Sequence, residues 1–547
     1  MKIDNSNDRV LFIALLLLGL VIYVYGIGGY PLLEPDEGRY SEIPREMIES
    51  GDYITPKLNY VKYFEKPALF YWMNALSMKA FGENEFAARF PTILMAILGA
   101  ILTYLVAKSM YCSNTALLSP TILLTMLLYF ALGHINIIDM TLSFFITLSL
   151  LGFWLKRYSL FYIGMASALL SKGLIGVVLP CAVVFWYIVL TRQWTLLKEI
   201  IKNRVGIFLF LIVSLPWFIS VCVVNNDFFD FFFIQEHFLR YTTKMHDRYQ
   251  PIWFFIPILI LGVMPWAGLI PNALTSFFGI RSIKNEHEKR SLIFLSLWIF
   301  IIFVFFSLSG SKLIPYILPV LPPLSVIFAS ILNQILVDND LFIAKRVFTW
   351  GTPIFVLIFI ASIIYPFIDN NEIGDSKLCS YTIPLGLVSL AFPVIGIYSI
   401  KKLNVRLFVF GMLTLSLLFT ATAKRGFTLM GETRSAYDTA LLISEYKRNG
   451  DLIAQIWDYD QGLPFYLKQR IVLIDWLGEL EFGASQEPDT MWFSSSDNLK
   501  EFWNESERVF LVVGKKNINR FESLLKSLDI KYPKLLGVNH RNAIYIK

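Results

Sequence analysis

A polytopic α-helical membrane protein with a soluble α/β tail is the fold class this chain predicts, and three observations predict it. Of 547 residues, 56% are hydrophobic and 16% charged, whereas soluble domains are usually about 45–50% apolar. Apolar runs of membrane-crossing length recur up to residue 426. After about residue 427 charged residues return and the apolar runs shorten to strand length.

Taken in order, the apolar runs lie near 10–26, 90–107, 114–132, 136–155, 159–171, 173–190, 206–224, 252–271, 291–308, 313–335, 347–367, 382–399 and 406–423, about thirteen spans. The first run has no small-residue cleavage site and many spans follow it, so it reads as a retained anchor. Lys108, Lys156 with Arg157, Arg192 to Arg204, Arg281 to Arg290, Lys345 with Arg346, and Lys401 to Arg406 fall in alternate loops. The positive-inside rule makes that side, and the amino terminus, cytoplasmic. The opposite, outward side then holds Asp36, Glu65, Asp139, His237, Lys312 and the whole carboxyl-terminal region.

This organisation gives a membrane domain over 1–426, with its first outward-facing loop at 28–89, and an outward-facing domain over 427–547. In the tail, strand-like runs at 452–457, 471–476, 508–513 and 543–546 alternate with helix-like stretches at 435–448 and 517–528, the pattern of a small α/β domain. It carries no Gly-rich phosphate fingerprint and no nucleophile elbow. Covering the outward site or binding a partner is its expected role. The net charge of +6 sits in the cytoplasmic loops, and no basic run interleaved with aromatics points to nucleic acid. Four dispersed cysteines, Cys112, Cys181, Cys222 and Cys379, indicate neither a disulfide framework nor a zinc cluster, and read as packing residues.

Polar residues beside membrane spans are costly to desolvate, so their clusters mark candidate chemistry. The densest follows the first span: Glu34-Pro35-Asp36-Glu37-Gly38-Arg39-Tyr40, then Phe64-Glu65-Lys66-Pro67. Asp36 can act as a base or orient a sugar hydroxyl or amine; the plain alternative is a solvated acidic loop. The segment 41–49 has helical spacing and is expected along the interface. Asp139, in a long apolar run, reads either as functional or as the partner of a buried cation, and Lys172 either meets a phosphate or snorkels to the headgroups. Glu65 and His237 would suit a divalent ion if their loops meet. Lys312 and Tyr316 are four apart, which would place a cation and a phenol on one helical face, suited to a phosphate or to interfacial anchoring.

Read together, these motifs with Ala88-Arg89-Phe90-Pro91, Ser171-Lys172-Gly173, Glu236-His237-Phe238-Leu239-Arg240-Tyr241, Met264-Pro265-Trp266 and Ser311-Lys312-Leu313-Ile314-Pro315-Tyr316 resemble the aminoarabinose transferases of lipid A. Those are polyprenyl-phosphate-dependent glycosyltransferases of the GT-C class, distantly related to protein O-mannosyltransferases. The resemblance covers most of the membrane region in order, and the tail in general pattern. It implies Asp36 as the principal active-site carboxylate, supported by Arg39, Tyr40 and Asp139. Lys66, Arg240 and Tyr316 would hold the carrier phosphate, and Glu65 with His237 would bind one divalent ion, Zn or Mg/Mn. No nucleotide cofactor is implied. The implied partners are a polyprenyl-phosphate-linked sugar, lipid A or another envelope acceptor, and membrane lipids.

Topology supplies an independent argument. An outward-facing enzyme has no cytoplasmic nucleotide sugars and needs a donor delivered across the bilayer. Departure of a lipid phosphate concentrates negative charge, which Lys66, Arg240 and Lys312 or Lys172 are placed to stabilise. The expected reaction is an in-line displacement with inversion at the anomeric carbon. Three rivals stand beside it: transfer of mannose or another hexose to protein or glycan, a lipid-linked sugar transporter or flippase, and a noncatalytic scaffold. A transporter predicts internal repeats, which the sequence does not display.

Overall fold

The structure, a computed structural model, describes residues 6–233, 250–368 and 375–547. It forms two compact units, Met1–Gly26 with Thr92–Gly426, and Ile27–Pro91 with Phe427–Lys547. The first is the membrane unit and the second the α/β unit, which joins the first loop to the tail.

Among the described residues, seven helices are long and apolar enough to cross a membrane: Glu85–Met110, Arg204–Val224, Glu286–Leu308, Ile314–Asp338, Leu341–Ile368, Lys377–Lys401 and Val405–Arg434. Two bent pairs, Ser113–Thr125 with Leu127–Gly133 (65°) and Phe255–Gly262 with Ala267–Phe278 (114°), raise the number to nine if each is one span. Every run expected from sequence falls on a helix, but length and apolarity do not bring the number to thirteen. Helices such as Ile138–Trp154 and Ile175–Thr191 have 17 residues, and a full crossing takes about 20.

The breaks in the two bent pairs satisfy one another. Leu127 N–H donates to the Met264 carbonyl at 2.9 Å, and the buried Trp266 indole N–H donates to Thr125 Oγ1 at 2.9 Å. Interrupted backbone inside a membrane protein is tolerated only when its polar groups find partners in this way. Close helix approach is equally local in origin. The helix Ile138–Trp154 turns back into Tyr158–Lys172, and a Cβ added at Gly164 would lie 2.6 Å from Ser149 N. Small residues let the two backbones touch.

In the α/β unit, a short antiparallel hairpin, β1 (Lys57–Leu58) and β2 (Val61–Lys62), accompanies a six-stranded sheet. Its strands are β3 (Leu452–Ile456), β4 (Val472–Ile474), β5 (Phe493–Ser494), β6 (Val509–Gly514), β7 (Lys534–Val538) and β8 (Asn542–Ile546), in the order β5-β4-β3-β6-β8-β7. β3 is parallel to β4 and β6, and β8 is antiparallel to β6 and β7. β6 reads VFLVVG and is buried at every position, as a central strand covered on both faces must be. Ile456, Val472, Leu511, Phe521 and Tyr545 share its core.

The helix Asp36–Ser50 departs from expectation. The sequence suggests an interfacial helix over 41–49, but Glu37 to Met47 are all buried. Its charges are internal because each meets an opposite charge or a backbone donor, as described next. The helix ends where Gly51 takes φ 70° and returns its N–H to the Met47 carbonyl, a left-handed cap that suits glycine. Cys112 and Cys181 are partly open at the surface, and Cys181 Sγ lies 3.5 Å from Met165 Sδ.

Candidate active site

Asp36 opens its helix, and the positive end of the helix dipole favours a carboxylate there. Its side chain is 48% exposed, so it can be reached, and it is ion-paired with Arg39 one turn on, whose side chain is 7% exposed. Arg39 also pairs with Glu479 from the tail, and the Tyr63 hydroxyl donates to Glu479 Oε2 at 3.2 Å. The guanidinium lies 5.1 Å from the Tyr40 ring centroid, and Tyr40 packs edge-on to Phe70 at 5.6 Å. Asp36, Arg39 and Tyr40 are therefore brought together, with the guanidinium held from both sides and an accessible carboxylate at its tip.

The turn beneath them is fixed by Glu37. Its carboxylate is 0% exposed, takes two bonds at 2.8 Å from Arg89, and accepts from Leu33 N–H at 2.9 Å. Arg89 in turn donates to the carbonyls of Ile27, Tyr30 and Pro31. This planar fork satisfies a carboxylate and three carbonyls at once, which a lysine cannot do.

Further along the helix, Arg45 grips Glu42 at 2.7 and 2.6 Å. Glu46 Oε2 accepts from Tyr60 N–H at 2.9 Å, and its buried Oε1 meets no donor. Burial, and then the charge of Glu42, push the Glu46 carboxyl well above the usual carboxylate range. The folded state thus holds a proton that the unfolded chain loses above about pH 4.3. Stability from this group falls as pH rises from there toward the raised native value. Glu46→Gln is expected to raise Tm at pH 7 by about 2–4 °C, with the difference from wild type shrinking toward pH 4, as followed by thermal melting across pH.

In the membrane unit, Asp139 and Lys172 meet because their helices are antiparallel neighbours. Asp139 is in the first turn of Ile138–Trp154 and Lys172 is the last residue of Tyr158–Lys172, so each charge also sits at the helix end whose dipole favours it. They form an ion pair with side chains 7% and 8% exposed. Lys172 Nζ lies 4.6 Å from the Tyr316 ring centroid. Asp139, Lys172 and Tyr316 therefore form one cluster, and the snorkelling alternative for Lys172 does not hold.

Lys312 does not share a helical face with Tyr316. It precedes the 3-10 turn Ile314–Val320, and its ammonium donates to the carbonyls of Ser309 at 2.6 Å and Gln250 at 2.8 Å. Its ammonium is held by the loop backbone, not beside Tyr316 on one helical face. His134 likewise bridges the Phe130 and Tyr23 carbonyls at 2.7 and 2.8 Å. Lys66 Nζ donates to the Glu65 carbonyl at 2.8 Å and lies 3.9 Å from its carboxylate. His237 and Arg240 lie outside the described residues. Among the described residues no three metal-ligating side chains converge.

Known proteins share both the membrane unit and the tail. The family model for dolichyl-phosphate-mannose-protein mannosyltransferase matches residues 65–219, and that for the aminoarabinose transferase C-terminal domain matches 440–528. An undecaprenyl phosphate-alpha-4-amino-4-deoxy-L-arabinose arabinosyl transferase 2 from Proteus mirabilis is 32% identical over 339 residues, 60% of either chain. One from Yersinia enterocolitica is 34% identical over 342 residues, again 60% of either. The chain thus spans about 60% of the length of the curated relatives it matches. The crystal structure of ArnT from Cupriavidus metallidurans bound to undecaprenyl phosphate superposes with a TM-score of 0.85 at 26% identity, over 99% of this chain and 98% of that one. The chain is similar to the aminoarabinose transferases in sequence over about 60% of its length and in fold throughout. A likeness to the archaeal oligosaccharyltransferase AglB from Archaeoglobus fulgidus, with a TM-score of 0.51 at 12% identity, concerns the fold alone.

Within this fold, Glu479 is the residue that sequence reasoning missed. It lies 443 positions from Asp36 in a stretch with no motif, and only the folded unit brings it onto Arg39. Glu34 and Glu37 stood inside a quoted motif, but nothing in the sequence separates the accessible Asp36 from its two internal neighbours.

Proposed function

We propose that this chain is a membrane glycosyltransferase that moves 4-amino-4-deoxy-L-arabinose from undecaprenyl phosphate to a phosphate of lipid A, at the periplasmic face of the bacterial inner membrane. Asp36 carries the reading: a reachable carboxylate on a turn that Glu37 and Arg89 fix from beneath, held in aim by Arg39. Pre-positioned charge on a rigid support is what displacement at a sugar carbon requires. The names of the relatives and the undecaprenyl phosphate in the Cupriavidus structure support the choice of donor. The amino terminus is cytoplasmic in this reading, as the alternating basic loops require.

In the displacement, an acceptor oxygen attacks the anomeric carbon as the bond to the carrier phosphate breaks. Asp36 orients the donor sugar through a hydroxyl or its amine, and accepts a proton if the acceptor is a hydroxyl. By the resemblance, Lys66, Arg240 and Tyr316 hold the departing phosphate, and Lys172, beside Tyr316, or Lys312 is a further cation that would offset its charge. Asp139 pairs with Lys172 and so positions its ammonium. A divalent ion on Glu65 and His237 belongs to the proposal as a structural element; elemental analysis of wild type against His237→Ala tests it.

Lys172→Met is expected to lower kcat about 10²-fold. Adding Asp139→Asn should cost little more, because the two act as one unit. Steady-state kinetics in proteoliposomes checks both. With synthetic lipid-linked aminoarabinose and lipid A, NMR of the product should find inverted anomeric configuration; retention would overturn the single displacement. The match of residues 65–219 to a mannosyltransferase model keeps one rival in view, hexose transfer to protein. Product mass separates the two.

A further inference from the structure

A group of polar residues beside the Asp36 turn takes no part in the steps above. Glu34, two residues before Asp36, turns its carboxylate onto the loop 458–462 that follows β3. Oε2 accepts from Gln461 N–H at 2.9 Å and Oε1 from Gly462 N–H at 2.7 Å. The loop is secured from the sheet behind it. Asp460, 1% exposed, pairs with Arg541 and accepts from Asn542 Nδ2 at 2.6 Å, while its own N–H donates to Gln455 Oε1 at 2.9 Å. Asn542 also donates to Thr439 Oγ1 at 3.1 Å, which ties β8 to the first helix of the tail.

A second contact is backbone against backbone. A Cβ on Gly38 would stand 2.3 Å from Gly462 N and 2.8 Å from the Gln461 carbonyl carbon, and a Cβ on Gly462 would stand 2.5 Å from Glu34 Oε1. Neither glycine has a positive φ, so glycine is needed here for space. Gly38 sits between Asp36 and Arg39, so the loop presses on the turn that presents both. Two hydrogen bonds on one side and a side-chain-free contact on the other leave this turn little freedom to shift.

We infer that the loop 458–462 is a positioning element for the active-site turn, with Glu34 as its fastener and Asp460 and Arg541 as its anchor. None of these residues touches substrate; they act through Asp36 and Arg39. The carboxyl-terminal domain thereby becomes part of the catalytic apparatus rather than an accessory cover. The inference rests on the proposed role of Asp36.

The test uses the full chain in lipid nanodiscs, as wild type, Glu34→Gln and Gly462→Ala, with Ser527→Ala as a tail substitution outside the loop. Glutamine can accept only one of the two N–H bonds, and the alanine methyl wedges Glu34 away. Both variants are expected to exchange backbone hydrogens across 33–42 about tenfold faster, with β3 and β6 unchanged. Their kcat should fall about 10²-fold, and KM for the lipid-linked donor should stay within about threefold. Unchanged exchange at 33–42 in both variants would overturn the inference, as would faster exchange with unchanged kcat. If Gly462→Ala also loosens the sheet, Glu34→Gln alone decides. If wild type transfers no sugar, the proposed reaction fails, and exchange at 33–42 still decides whether the loop holds the turn.

Discussion

Asp36→Asn is expected to lower transfer by about 10²- to 10⁴-fold while leaving the protein folded. Asparagine keeps the size of the side chain and removes its charge. Arg39 remains held by Glu479, and the turn beneath remains held by Glu37 and Arg89. The melting temperature should therefore move by less than about 2 °C. The size of the kinetic loss is itself informative. An anionic phosphate acceptor needs no base, so a loss near the lower bound would assign Asp36 to orienting the donor; a loss near the upper bound would assign it a proton transfer. Single-turnover assays with each acceptor in nanodiscs measure the difference.

Arg89→Ala should have the largest effect on stability. It withdraws the guanidinium from the buried Glu37 carboxylate and leaves the carbonyls of Ile27, Tyr30 and Pro31 without that donor. Breaking one side of a buried ion pair costs about 3–5 kcal/mol, a large part of the net stability of a typical domain. Limited proteolysis should find the first loop cleaved in the variant and protected in wild type. The paired change Glu37→Gln with Arg89→Met should be milder than Arg89→Ala alone, because no buried charge is left over.

Much of this architecture is legible in the sequence because membrane helices announce themselves by composition. Each apolar run expected to span falls on a helix, and β3, β4, β6 and β8 lie where short apolar runs occur. What escapes is set by partners distant in the chain. β7 is an exposed edge strand whose KLLGV is interrupted by glycine, and β5 has only two residues. The helix Asp36–Ser50 carries enough charge to look interfacial, yet its middle is internal because Arg45 and Arg89 pair with Glu42 and Glu37 and the Tyr60 N–H bonds one oxygen of Glu46. The spacing of Lys312 and Tyr316 suggests one helical face, but the chain between them is not α-helical, and the ammonium is spent on two carbonyls. Asp139 and Lys172 were each visible as polar residues in apolar runs, while their pairing depends on the antiparallel packing that Gly164 permits.

Mass spectrometry of lipid A tests the central claim most directly. A strain lacking this protein would be complemented with wild type or with Asp36→Asn at matched expression. The account predicts that wild type restores the mass increment of 4-amino-4-deoxy-L-arabinose on lipid A and that Asp36→Asn does not. Lipid A that is identical in all three strains would contradict the assigned acceptor and sugar, and full restoration by Asp36→Asn would remove Asp36 from the chemistry.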